Sequence, residues 1–191
     1  MTALLSSQQR RAIRDEIRKK RRNLTALEQI GAAHRVAEQA FRLIERRQAQ
    51  CVAVYLSFDG EISTEPLIQQ LWRQNIQVCL PVLHPFSAGN LLFLHYEPET
   101  LMKKNKFGII EPVLDVRKVV PITQLDIIFT PLVAFDANGN RLGMGGGFYD
   151  RTLCGWREKS FIPVGLAHQC QQVESLPTEN WDIPLERILI G

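Results

Sequence analysis

The chain has 191 residues, 45% of them hydrophobic and 23% charged, with a net charge of +3. That balance supports one α/β domain with a full core, spanning residues 1–191, and excludes a disordered chain. No run is long and apolar enough to cross a bilayer, and Met1–Leu5 passes straight into polar residues and arginines, so no membrane partner and no secretory leader are expected. The four cysteines form no CxxC pair and the four histidines are scattered, which fits a reduced, cytoplasmic protein and argues against structural zinc.

From the N-terminus, Ser6–Gln9 reads as a capping box that opens a first helix. Ile13, Ile17 and Leu24 fall on one stripe of it and Arg10, Arg14 and Arg18 on another. Thr25 and Glu28 form a second capping box, and the helix it opens runs to about Arg47 with Val36, Ala40, Leu43 and Ile44 facing a core. The pattern then shortens. Cys51–Ser57 reads as a buried strand, Glu65–Gln74 as a helix and Gln77–Pro81 as a second strand, a βαβ unit that implies a right-handed crossover and a partly parallel sheet. Leu91–His95, Asp126–Pro131, Ile162–Ala167 and Arg187–Ile190 are further strands, while Pro85–Asn90 and Asp136–Asn140 are turns, and Asn105–Pro112, taken by itself, is also just a turn. The expected fold is a single three-layer α/β/α domain with a mixed, partly parallel sheet.

The strongest chemical signal is Gly143-Met144-Gly145-Gly146-Gly147-Phe148-Tyr149-Asp150. Four glycines in five positions lose backbone entropy on folding, but let the main chain approach a ligand and aim successive N–H groups at an anion. A helix starting at Phe148 adds its N-terminal dipole, and Asp150 is suited to hold Mg²⁺ against a phosphate. A plain surface turn is the alternative; Arg141 before the loop and Tyr149-Asp150-Arg151 after it favour function. The loop is neither a P-loop, since no Gly-Lys-Ser/Thr follows, nor a dinucleotide fingerprint, since its spacing differs and no strand is expected to feed it directly.

Arg10, Arg11 and Arg14 form a second candidate, because arginine forks match phosphate oxygens and positions 10 and 14 share a helical face. The wider cluster from Arg10 to Arg22 suits a polyanion or else a solvated face. A nucleic-acid partner is not expected, since this segment holds no aromatic residue on which bases stack. The third candidate is Phe58-Asp59-Gly60-Glu61, which follows the first strand; there Glu61 would sit where open α/β sheets bind ligands, or else be a solvated loop acid.

Together these segments resemble the 5-formyltetrahydrofolate cyclo-ligase family. The resemblance rests on the Arg10–Arg14 start, on Tyr55-Leu56-Ser57 leading to Glu61 and Thr64-Glu65, and on Asn105-x-x-Gly108-Ile109-x-Glu111-Pro112. It continues through Pro131–Asp136 and Asn140-Arg141-Leu142-Gly143-x-Gly145-x-Gly147-x-Tyr149-Asp150-Arg151. It implies conversion of ATP and 5-formyltetrahydrofolate to ADP, phosphate and 5,10-methenyltetrahydrofolate, with Mg²⁺; a monomer is expected, though the sequence itself does not give the oligomeric state. Carried over by motif, Arg10, Arg11, Arg14, Arg141, Leu142, Gly143, Met144, Gly145, Gly146, Gly147, Phe148 and Tyr149 would contact ATP. Arg141 and Asp150 would act in catalysis. Asp150 would bind the metal, with Asp182 as a second candidate. Leu56 and Glu61 would line the folate pocket, and Met144–Phe148 would touch both ligands. Two departures stand out. The family often has lysine where Arg10 stands, and a cation in the loop where this chain has Met144 and Gly146. Positive charge must then come from Arg141, Arg151 or the N-terminal arginines. A sugar-phosphate isomerase or acyl-CoA transferase on a similar sheet would leave the glycine nest and its neighbouring acid unexplained.

Overall fold

The computed structural model describes residues 2–191, with side chains from Ser6 onward. Helix α1 spans Thr2–Arg22 and α2 Ala26–Arg47. The Thr25 capping box forms as its sequence dictates, with the Thr25 side chain accepting from Glu28 N and the Glu28 side chain accepting from Thr25 N. Ser6 does not cap a helix. The first helix already runs through it, and its hydroxyl donates to Glu179 Oε1 at 2.7 Å.

Strand β1 (Cys51–Ala53), helix α3 (Glu65–Arg73) and strand β2 (Gln77–Leu83) form the expected βαβ unit, with β1 and β2 parallel. Strand β3 (Leu91–His95) runs antiparallel to β2. Next come a hairpin of β4 (Met102–Lys104) and β5 (Ile110–Pro112), then β6 (Val119–Val120) and β7 (Ile127–Thr130). A short pair, β8 (Ala134–Phe135) and β9 (Arg141–Leu142), leads into helix α4 (Phe148–Leu153); β10 (Ile162–Ala167) and β11 (Arg187–Ile190) complete the sheet.

The main sheet has seven strands in the order β11-β10-β7-β1-β2-β3-β6. The first five are mutually parallel; β3 pairs antiparallel with β2, and β6 pairs antiparallel with β3. Every residue of β1, β7 and β10 is buried, so both faces of the central strands are covered, as a parallel sheet requires. Helix α2 packs on α3 and β11, α3 on β2, α1 on β8, and α4 on β3. The mixed α/β reading therefore holds.

Three local expectations change. The first strand is shorter than Cys51–Ser57; beyond Val54, which donates to Cys79 O at 2.9 Å, the chain leaves the ladder and enters a loop. The stretch around Asn105–Pro112, which read only as a turn, is the tip and second strand of the β4–β5 hairpin. Asn105 Oδ1 closes that tip by accepting from Phe107 N and Ile109 N. The glycine loop is fed directly by a strand, because β9 ends at Leu142.

Candidate active site

A cleft of about 1360 Å³ opens beyond the carboxyl ends of β1, β2 and β7, where open α/β sheets bind ligands. Its walls are α1 at Arg10 and Arg14, the Tyr55–Glu61 loop, the tip of the β4–β5 hairpin, the glycine loop with α4, and the 179–183 segment.

The glycine loop owes its shape to two residues. Gly145 and Gly147 have φ of +98° and +66°, a region costly for any residue with a Cβ. Gly143 and Gly146 are not left-handed; a methyl group there would meet Arg141 Nη1 at 3.3 Å and the Phe148 ring at 2.8 Å. Two arginines hold the loop from outside. Arg14 Nε donates to Gly143 O at 2.8 Å. Arg151 donates to Gly146 O at 2.5 Å and to Gly89 O at 2.7 Å, tying the loop to the 85–90 turn.

The charged groups around this loop are interlocked. Arg141, whose side chain is 2% exposed, donates through Nη2 to Asp150 Oδ1 at 2.6 Å. Burial lowers the Arg141 pKa while Asp150 opposes that shift, and the guanidinium stays charged. Its Nε is buried without a partner among the described residues. Asp150 Oδ1 also accepts from Ile183 N at 3.4 Å, whereas Oδ2 accepts from none of the described residues. Asp182 differs. Both its oxygens accept from Arg10, and Oδ2 also accepts from Glu179 N. Burial would raise the Asp182 carboxyl, but the Arg10 and Glu179 bonds outweigh it and hold the group below its ordinary value.

The sequence candidates thus separate. Arg14 and Arg141 meet at the glycine loop, with Asp150 alongside. Arg10 reaches the cleft, but its fork is engaged by Asp182 and Pro177 O, so Asp182 anchors the helix instead of offering free metal ligands. Arg11, about 100° round the helix from Arg10, is exposed and does not line the cleft. Leu142 turns its side chain under the loop, packing with Ile17, Val133 and Leu176. Among the described residues, no group of three or more His, Cys, Asp and Glu gathers at metal-binding distance.

Leu56 and Glu61 line the same cleft as the glycine loop. Glu61 Oε2 accepts from Phe58 N at 3.0 Å. Desolvation pushes the Glu61 carboxyl up to about 7, against the opposing Phe58 bond and Arg21 charge. The phenols of Tyr55 and Tyr149 are raised by burial and then by the Glu61 charge. Glu61 is therefore an acid held in an apolar lining. Residues that sequence reasoning left outside the site are Phe107, which packs edge-on against Phe148 with ring centroids 5.9 Å apart, and Asn105, which donates to buried Glu111 at 3.0 Å. Their only signal was the Asn105–Pro112 motif itself.

Fold and cleft define the class: an α/β enzyme framework with a ligand cleft at the carboxyl edge of its parallel strands and a glycine nest on one wall. The sequence model of the 5-formyltetrahydrofolate cyclo-ligase family matches residues 6–191. The chain is 65% identical over 187 residues to the Haemophilus influenzae 5-formyltetrahydrofolate cyclo-ligase, covering 98% of this chain and 100% of that protein. It is 55% identical to the Escherichia coli K12 enzyme, covering 91% and 95%. The NMR structure of Aquifex aeolicus 5,10-methenyltetrahydrofolate synthetase superposes with a TM-score of 0.79 at 30% identity, covering 95% of this chain and 89% of that one. The chain belongs to the 5-formyltetrahydrofolate cyclo-ligase family.

Proposed function

We propose that the chain closes 5-formyltetrahydrofolate to 5,10-methenyltetrahydrofolate at the expense of ATP, releasing ADP and phosphate through a phosphorylated formyl intermediate. One observation carries the nucleotide half of this reading. Arg14 is tied to the glycine loop through Nε alone, which leaves its two Nη groups, with Nη2 beside Gly145, without a partner among the described residues. Such a fork, with the loop amides and the buried Arg141 charge behind them, is suited to phosphate oxygens.

A formamide oxygen is a weak nucleophile and an oxide a poor leaving group. In the proposed sequence the formyl oxygen attacks the γ-phosphorus and the bond to ADP breaks. N10 then adds to the activated carbon and loses its proton. Finally the carbon–oxygen bond breaks, phosphate leaves and the N5–C–N10 cation remains. Phosphoryl transfer of this kind needs position and positive charge more than a nucleophilic side chain. Arg14 and Arg141 supply charge, the glycine amides supply direction, and the Tyr55, Leu56 and Phe148 surfaces limit water. Glu61 would hold the pterin's ring nitrogens through its open oxygen.

Mg²⁺ fits Asp150. The ion takes one or two carboxylates together with phosphate oxygens, and Asp150 keeps Oδ2 clear while Arg141 fixes Oδ1. When bound, the ion would neutralise phosphate charge. The free thiols, with Cys51 and Cys79 buried, suit the cytoplasm, and no helix among the described residues is long and apolar enough to cross a membrane.

The test follows the oxygen. With substrate labelled with ¹⁸O in the formyl group, released phosphate should carry one ¹⁸O per product formed. Label in water, with unlabelled phosphate, would contradict the phosphorylated intermediate.

A further inference from the structure

The proposed reaction uses Arg14 and Arg141 but leaves three arginines of α1 unexplained. Arg18 Nε donates to Asp59 Oδ2 at 2.7 Å, Arg21 Nη2 to the same oxygen at 3.1 Å, and Arg22 to Asp59 Oδ1. Arg21 also donates through Nε to Asp59 O at 2.9 Å and through Nη1 to Leu132 O at 3.2 Å, and it is 0% exposed. Burying a guanidinium entirely is costly, and an apolar residue of similar volume would commonly give equal or greater stability. Three cations on one carboxylate exceed what pairing requires. The cluster makes physical sense as a device that fixes geometry.

What it fixes is a strained turn. Asp59 has φ of +55° and Gly60 +74°, so two successive residues sit in the left-handed region, which Asp adopts more readily than most residues with a Cβ but still at a cost that side-chain hydrogen bonds offset. Glu61 N donates to Phe58 O at 3.1 Å and Phe58 N to Glu61 Oε2 at 3.0 Å. The turn is therefore closed around Asp59, and the Glu61 carboxylate is part of that closure. On the same helix, Arg14 holds Gly143. From Arg14 to Arg21 is about 10 Å along the axis, so one rigid rod spaces the glycine loop from the Glu61 turn.

We infer that Asp59 is a positioning residue for the folate end of the cleft: clamped by Arg18, Arg21 and Arg22, it holds Glu61 in its binding geometry. This rests on the reading of Glu61 as a folate contact, and the test separates the two. Calorimetric titrations with 5-formyltetrahydrofolate and, separately, with a non-hydrolysable ATP analogue compare the parent, Asp59→Asn, Glu61→Gln and the double variant. Asp59→Asn should weaken folate binding about tenfold and leave the analogue within about twofold. The double variant should bind folate no more weakly than Glu61→Gln alone, because a residue acting through Glu61 has nothing left to position. Additive losses in the double variant, or equal losses for both ligands, would overturn the inference while leaving Glu61 as a folate contact. Unchanged folate affinity in Glu61→Gln would overturn the folate reading of Glu61 itself, and the inference with it. Should Asp59→Asn fail to give a cooperative melt, the pair Arg18→Gln and Arg22→Gln, at the more exposed side of the clamp, takes its place in the same cycle with the same expected and overturning results.

Discussion

Glu61 is a carboxyl that the fold holds in a setting unfavourable to its charge. Its carboxyl rises from an ordinary 4.5 to about 7 because desolvation outweighs the Phe58 bond. The folded state therefore binds this proton more tightly than the unfolded chain, and stability falls as pH rises from about 4.5 to about 7. His168, lowered to about 4 by burial, has the opposite slope, losing stability as pH falls from about 6.5 to about 4, so only the difference between variant and parent isolates Glu61. Glu61→Gln should be more stable than the parent above pH 7 by roughly 2 kcal/mol, less than the full shift because the cleft admits water, with the gain vanishing below pH 4.5. Urea melts at pH 4.5 and 8 measure it. Equal stability at pH 8 would show that Glu61 is not held out of water. The sequence placed Glu61 beyond a strand end, but could not reveal its ionisation, which depends on Tyr55, Tyr149 and Arg21 closing around it.

At the scale of the element, the glycine loop and α1 act as a pair. Gly145 and Gly147 need left-handed backbone, and a Cβ on Gly147 would meet Arg151 Nη1 at 2.8 Å. Gly145→Ala or Gly147→Ala should weaken binding of a non-hydrolysable ATP analogue at least about tenfold, by turning an amide off the phosphate. The melting temperature should fall by only a few degrees, because backbone strain of about 1–2 kcal/mol at one surface loop spreads over the whole domain. Calorimetric titration and a thermal melt test this together; unaltered affinity in both variants would make the loop an ordinary turn. The loop was legible in sequence because four close glycines are unusual. The use made of α1 was only half legible. Periodicity put Arg10 and Arg14 on one face, but their partners, Asp182 and Gly143, lie 172 and 129 residues away, and no local pattern announces such pairs. For the same reason Asp182 read as a metal candidate, although its oxygens are engaged by Arg10.

Over the whole molecule, the order of the parallel strands brings these parts together. β1, β2 and β7 are neighbours in the sheet, so the loop after β1 and the chain after β7 reach the same cleft although 75 residues separate Val52 from its partner Ile127. Long apolar runs made the central strands legible. The two- and three-residue strands β4, β5, β6, β8 and β9 were not, since so few residues show no period and their pairing is decided by tertiary contacts. The proposed function requires this cleft to couple ATP consumption to closure of the folate ring. Near-ultraviolet absorbance reports methenyltetrahydrofolate directly, and a coupled assay reports ADP. The expected result is product only when Mg²⁺ and ATP are both present, with one ADP per methenyltetrahydrofolate. Equal turnover with ATP omitted would contradict it.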